Sequence, residues 1–193
     1  MFLSFFIKKP QILAGKRGFS KHNPEGSAPN SNLKGIASLQ DCQAELNLGG
    51  TMRPYIISVS NQKGGVGKTT TSFQVSIYLA GTGRKTLLID TDPQGNLTKS
   101  LIDSDNPGMY EALTGSDYDI PEIMPNLFLL AGSIRLATLE KSLIGEMDAY
   151  IRLKELLSLE MFSEFEYILI DTPPSLGVLT INALPHRATS SRR

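Results

Sequence analysis

Gln62-Lys63-Gly64-Gly65-Val66-Gly67-Lys68-Thr69-Thr70 is the stretch that decides the fold. It follows Tyr55-Ile-Ile-Ser-Val-Ser60, a short apolar, β-branched run bounded by Pro54 that reads as a buried parallel strand. After it, Val75, Tyr78 and Leu79 recur at helical intervals over 69–80, and Gly81 with Gly83 ends the pattern. A strand, a glycine loop and a helix in that order are the setting a phosphate-binding loop needs. Glycines let the backbone curl so that successive amides and the helix N-terminus face a triphosphate. Lys68 then serves the β and γ phosphates, and the Thr69 hydroxyl serves Mg²⁺. The usual pattern opens on Gly where this chain has Gln62, and a second lysine, Lys63, precedes the glycine pair. The nucleotide-binding set expected here is Lys63, Gly64, Gly65, Val66, Gly67, Lys68, Thr69 and Thr70.

Working outward, three more strands are expected at 85–90, 126–130 and 167–171, with helices over 109–113, 135–143 and 147–159. Strands alternating with helices imply an α/β, doubly wound, mainly parallel sheet covered on both faces. Asp171 ends the apolar run Tyr167-Ile-Leu-Ile170 and precedes Thr172-Pro173-Pro174. Its carboxylate is therefore expected at the carboxyl edge of the sheet, where ligands of open α/β folds bind. Asp90 and Asp92, in Asp90-Thr-Asp-Pro-Gln-Gly-Asn96, leave the second strand at the same edge. An acid there orients an attacking water or helps hold a metal; a plain Asp-Pro turn is the alternative.

The 193 residues, 40% apolar and 20% charged, suffice for one core and exclude the disordered class as a whole. One cysteine, Cys42, excludes a disulfide framework and a multi-thiolate metal site within one chain, so a reducing compartment is the default. The net charge of zero hides an uneven distribution. Residues 1–51 carry six Lys/Arg against three Asp/Glu, 52–184 carry ten against sixteen, and 185–193 carry three against none. The acidic body lacks the clustered cationic excess of a nucleic-acid footprint. No stretch reaches the run of about 18 apolar residues that a membrane-spanning helix needs.

Residues 1–51 read as a disordered N-terminal extension, most plainly over 15–32, where Gly, Ser, Asn, Pro and Lys predominate. Its first 24 residues hold five bases and no acid, a composition compatible with organellar targeting; a bland tail is the favoured reading.

Lys63-Gly-Gly-Val-Gly-Lys68-Thr69-Thr70, Asp90-Thr-Asp92-Pro-Gln-Gly-Asn96 and Asp171-Thr-Pro-Pro-Ser-Leu-Gly177, in this order, resemble the ParA/Soj partition ATPases of the deviant Walker A class, related to MinD. The resemblance spans 53–184 and implies a P-loop NTPase: a Mg²⁺-dependent ATPase acting as an ATP-dependent homodimer switch. It further implies non-specific DNA binding, stimulation by a ParB-like protein and a cytoplasmic, nucleoid-associated role in chromosome or plasmid partitioning. By the same resemblance Lys63 crosses to the partner's nucleotide, as an arginine finger does. Lys68 and Thr69 serve phosphates and Mg²⁺, Asp92 serves the hydrolytic water and is a second candidate for the metal, and Asp171 serves the metal's water shell.

MinD-like membrane ATPases need a C-terminal amphipathic helix, for which His186-Arg-Ala-Thr-Ser-Ser-Arg-Arg193 has no apolar face, so no membrane partner is expected. Family members continue past Asn182-Ala183-Leu184, whereas here the domain of 52–184 gives way to an irregular basic tail, 185–193. The expectation is a C-terminally truncated domain with weak or absent DNA binding. Parts of its sheet, the strand at 167–171 included, are expected to lack cover. Two other readings stand beside it: a catalytically inactive nucleotide-binding fragment, and an organellar P-loop scaffold protein.

Overall fold

The computed structural model describes residues 4–8, 53–102, 106–144, 146, 149, 151–175 and 177–183. Six strands form one sheet in the order β1-β2-β6-β3-β5-β4. They are β1 (Ser4–Lys8), β2 (Tyr55–Ser60), β3 (Thr86–Asp90), β4 (Glu122–Met124), β5 (Leu127–Leu130) and β6 (Tyr167–Asp171). The four central strands are parallel, and β1 and β4 pair antiparallel at the two edges.

Alternation along the strands divides the core in two. Leu87, Ile89, Ile168, Ile170 and Leu130 join the cluster on one face, while Leu88, Leu169, Leu127 and Leu129 join that on the other. Buried on both sides, these strands become continuous apolar runs, which is why 86–90 and 167–171 are recognisable from sequence. Helix α1 (Lys68–Gly81) and α2 (Asn96–Leu101) supply the second cluster. The first is supplied by α3 (Met109–Thr114), α4 (Arg135–Ser142), α5 (Arg152–Leu156), a 3₁₀ turn (Glu160–Glu164) and α6 (Val178–Ala183).

Several expectations change. The inner stripe of α1 is Lys68, Ser72, Ser76 and Ala80, at four-residue spacing, whereas Tyr78 is 71% exposed. Small side chains let the helix sit close to the sheet along that stripe, while Phe73, Val75, Ile77 and Leu79 pack half-buried against the second cluster. The helix expected over 147–159 is helical only at Arg152–Leu156, with the 3₁₀ turn after it; positions 147, 148 and 150 lie outside the described residues. The strand at 167–171 is not short of cover. It lies between β2 and β3, and Ile168, Leu169 and Ile170 are buried against both clusters.

Ser4–Lys8, inside the segment expected to be disordered, forms an antiparallel ladder with β2, Ser4 opposite Ser60 and Lys8 opposite Ile56. Phe5, Phe6 and Ile7 carry the β propensity such an edge strand needs. Gly15–Asn32, Cys42 and the tail 185–193 lie outside the described residues.

Candidate functional site

The carboxyl ends of β2, β3 and β6 meet at one edge, and each feeds a loop that carries residues expected to act there. After β2 the chain passes through 61–67, where Asn61 Oδ1 accepts the Lys63 N–H at 2.9 Å. Gly65 and Gly67 have φ of 68° and 85°, which side chains with a Cβ adopt only at a cost. A Cβ built on Gly64, Gly65 or Gly67 would meet nothing within 4 Å, so the loop encloses open space.

Gly67 is the N-cap of the fourteen-residue α1, which has no side-chain cap and no acid in its first turn. Its first amides are thus left to an anion from outside. Lys68 opens the helix 7% exposed, and no salt bridge among the described residues involves it. Lys63, Gly64, Gly65 and Thr70 are exposed, and Val66, Gly67 and Thr69 are half-buried.

Asp171 ends β6 directly opposite Asp90 of β3 and Val59 of β2. Following Ile170, which faces the first cluster, its carboxylate turns to the α1 face, where Oδ1 accepts the Ser72 hydroxyl at 3.0 Å. Ser72 Oγ also lies 3.1 Å from the Lys68 carbonyl. Burial pushes the Asp171 carboxyl up to about 6, with hydrogen bonds from the Thr69 and Ser72 hydroxyls pulling it down and the charges of Asp90 and Asp92 adding to the rise. Thr69, Ser72 and Asp171 thus form one cluster. Its hydroxyl and carboxylate oxygens suit a hard divalent cation such as Mg²⁺, and the open loop beside an uncapped helix suits phosphate. The donor set fits both.

Asp92 is half-buried, its Oδ1 accepting the Gln94 N–H at 2.9 Å in a local turn. Asp90 corrects an expectation. It is fully buried, and both carboxylate oxygens are engaged by Thr98 and by the Asp92 amide, so it is not placed to touch a water or metal in the site. Burial raises its pKa, against the hydrogen bonds from Thr98 and Asp92.

Ser72, Thr91, Thr98 and Thr172 were not singled out from the sequence. Thr91 Oγ1 donates to the Asp171 carbonyl at 2.7 Å, and Thr172 Oγ1 donates to the Val59 carbonyl at 2.9 Å, stitching the three strand ends together. The one signal that reaches Ser72 is its place one helical turn beyond Lys68. Asn182 is likewise structural: its Nδ2 donates to Ala149 O and Val178 O, and its Oδ1 accepts the Leu153 N–H.

Residues 54–189 match the AAA domain family. The chain is 43% identical over 128 residues to the chromosome-partitioning ATPase Soj of Treponema pallidum, covering 64% of this chain and 50% of that protein. It is also 43% identical over 137 residues to the sporulation initiation inhibitor protein Soj of Bacillus subtilis, covering 67% and 53%. The chain therefore spans about half the length of the curated relatives it matches. Among solved structures it resembles the cobyrinic acid a,c-diamide synthase of Mycobacterium smegmatis with bound ADP and magnesium. That likeness has a TM-score of 0.61 at 39% identity, over 65% of this chain and 54% of that one. A plasmid partition protein of Borrelia burgdorferi follows at TM-score 0.60 and 33% identity, over 68% and 60%.

Proposed function

This chain belongs to the AAA domain family, among the Soj- and ParA-type ATPases, and from that premise we propose that it binds Mg·ATP and hydrolyses it as a partition ATPase. The observation that carries this reading is Lys68, 7% exposed, without an ion pair among the described residues, at the head of an uncapped helix. With no carboxylate paired to it among the described residues, the Lys68 ammonium is left for an anion, and a phosphate arriving at the glycine loop supplies one. The loop amides of 64–70 hold the phosphates, and Lys68 neutralises their charge. Thr69, with Asp171 acting through water, holds the metal, and Ser72 keeps the Asp171 carboxylate turned toward it. Bound Mg²⁺ supplies Lewis-acid charge compensation on the phosphate oxygens. Asp92 orients the attacking water and is a second candidate for the metal.

Lys63 is exposed, as a group that crosses to a second copy must be. An ATP-dependent homodimer, a ParB-like stimulating protein and a chromosomal or plasmid DNA cargo complete the proposal, in the cytoplasm and on the nucleoid. No helix among the described residues is long and apolar enough to cross a membrane.

The test is titration with Mg²⁺ and a fluorescent ATP analogue. Wild type should bind, and Lys68→Ala should lose affinity by at least about 100-fold, the scale of a charge-assisted contact to phosphate. A variant that binds as well as wild type, or a folded wild type that does not bind, breaks the reading.

A further inference from the structure

Asp90 sits where an acid of the site is expected, yet its carboxylate serves the protein's own backbone. Oδ1 accepts the Asp92 N–H at 3.0 Å, and Oδ2 accepts both the Thr98 N–H at 3.0 Å and the Thr98 hydroxyl at 2.8 Å. The same Thr98 oxygen accepts the Gly132 N–H at 2.8 Å, 34 positions away at the end of β5. One hydroxyl thus donates to an acid and accepts from an amide, and both partners are buried. The approach is close: a Cβ on Gly132 would lie 2.8 Å from Asp90 Cγ and from the Asp90 carbonyl oxygen.

We propose that Asp90 and Thr98 are positioning residues that form a latch for Asp92. The carboxylate pins the segment 91–97, the loop after β3 and the first residues of α2, at its entry and its exit, and Thr98 fastens that segment to the β5–α4 connection. This rests on the reading of Asp92 as the water-orienting acid. Asp92 is held at the first anchor by its own amide, and its side chain closes only a local turn through Gln94. Its placement over a phosphate therefore depends on the backbone beneath it. Displacing a reacting group by about 1 Å costs on the order of 100-fold in rate, whereas the phosphate loop on β2 stands on separate anchors. Breaking the latch should consequently reduce kcat and leave KM in place.

Thr98→Val keeps shape and loses both hydrogen bonds of the hydroxyl; Thr98→Ser keeps both. The experiment compares the two in the full chain by three measurements: Mg·ATP affinity, steady-state turnover, and amide hydrogen exchange of the 91–98 segment. For Thr98→Val, affinity and KM should stay within about threefold of wild type, kcat should fall about 10- to 100-fold, and exchange over 91–98 should quicken about tenfold or more. Thr98→Ser should restore both. Unchanged exchange in Thr98→Val overturns the latch, as does a kcat loss that Thr98→Ser does not rescue. Should Thr98→Val not fold, Asp90→Asn probes the same contact. Its amide offers one acceptor oxygen in place of two, leaving one N–H of the loop without its partner in either orientation. The exchange measurement needs no nucleotide, so a chain that fails to bind Mg·ATP breaks the proposed function while the latch is still decided.

Discussion

The loops after β2 and after β3 leave the same edge of the same sheet, and both turn through glycines of positive φ, yet they use their polar groups in opposite ways. Around Gly65 and Gly67 there is open space, the helix behind them is uncapped, and Lys68 is buried without an acid. Around Gly95 a Cβ would meet the Gly132 carbonyl oxygen at 3.2 Å, and Asp90, the acid that leads into that loop, has both oxygens bonded by Thr98 and the Asp92 amide. One loop is left incomplete so that a ligand completes it. The other is completed from within so that one side chain, Asp92, is held still. Uncapped helix donors beside a cation without an ion pair mark where an anion can bind, and an acid whose two oxygens are both bonded within the chain marks scaffolding, even when both carry motif residues.

The largest test of this contrast is Asp92→Ala. If Asp92 acts on water and the glycine loop acts on phosphate, turnover should fall at least about 100-fold while the Mg·ATP dissociation constant moves less than about threefold, read by phosphate release and by titration. Equal loss of both would erase the distinction between the loops.

A second test uses the acid that stands between them. Asp171 is raised from 3.8 to about 6, chiefly by burial, so the folded protein holds a proton there that the unfolded chain releases. Its contribution to stability is therefore fullest below about pH 4 and is lost as pH rises toward 6, by about 3 kcal/mol for a shift of roughly two units. Urea unfolding of wild type and Asp171→Asn between pH 4 and 7 should show the difference between them changing by that amount. Mg·ATP, which needs the ionised carboxylate, should bind more tightly as pH rises through 6. A difference that stays flat across the range would show that Asp171 is not held protonated.

The smallest effects come from the glycines themselves. Gly132→Ala forces a methyl against a backbone oxygen and the Asp90 carboxyl, and should cost about 2 kcal/mol in thermal or urea unfolding. Gly64→Ala meets nothing within 4 Å and should cost less than about 0.5 kcal/mol, any effect appearing instead in nucleotide affinity. Similar losses at the two positions would mean that the open loop is packed in solution.

Much of the fold was legible because its information is local. Interior parallel strands must be apolar on both faces, so 86–90 and 167–171 stand out as unbroken runs, and the glycine loop announces the helix that follows. The edges were not legible: β4 is Glu-Ile-Met, with two of its three residues exposed, and takes its strand character from β5. The six-residue α2 buries only Leu97 and Thr98, too few to make a helical period. On α1, Val75 and Leu79 pack against the second cluster, whereas the most buried stripe is carried by small residues that a hydrophobic period does not register.

The sequence by itself determined the phosphate loop, since glycine φ angles, a helix N-terminus and the lysine that opens the helix are neighbours along the chain. It also determined that acids emerge at the carboxyl edge of the sheet. Only the tertiary structure decided what surrounds each acid there. Asp90 and Asp92 are two residues apart and chemically identical, and they differ because Thr98 and, through it, Gly132 close upon the first and not the second. Asp171 becomes part of the cluster through Ser72, 99 positions away. The reason is physical: a carboxylate's role depends on which donors surround it and how much water they exclude, and those donors come from strands and helices that only the folded sheet brings together.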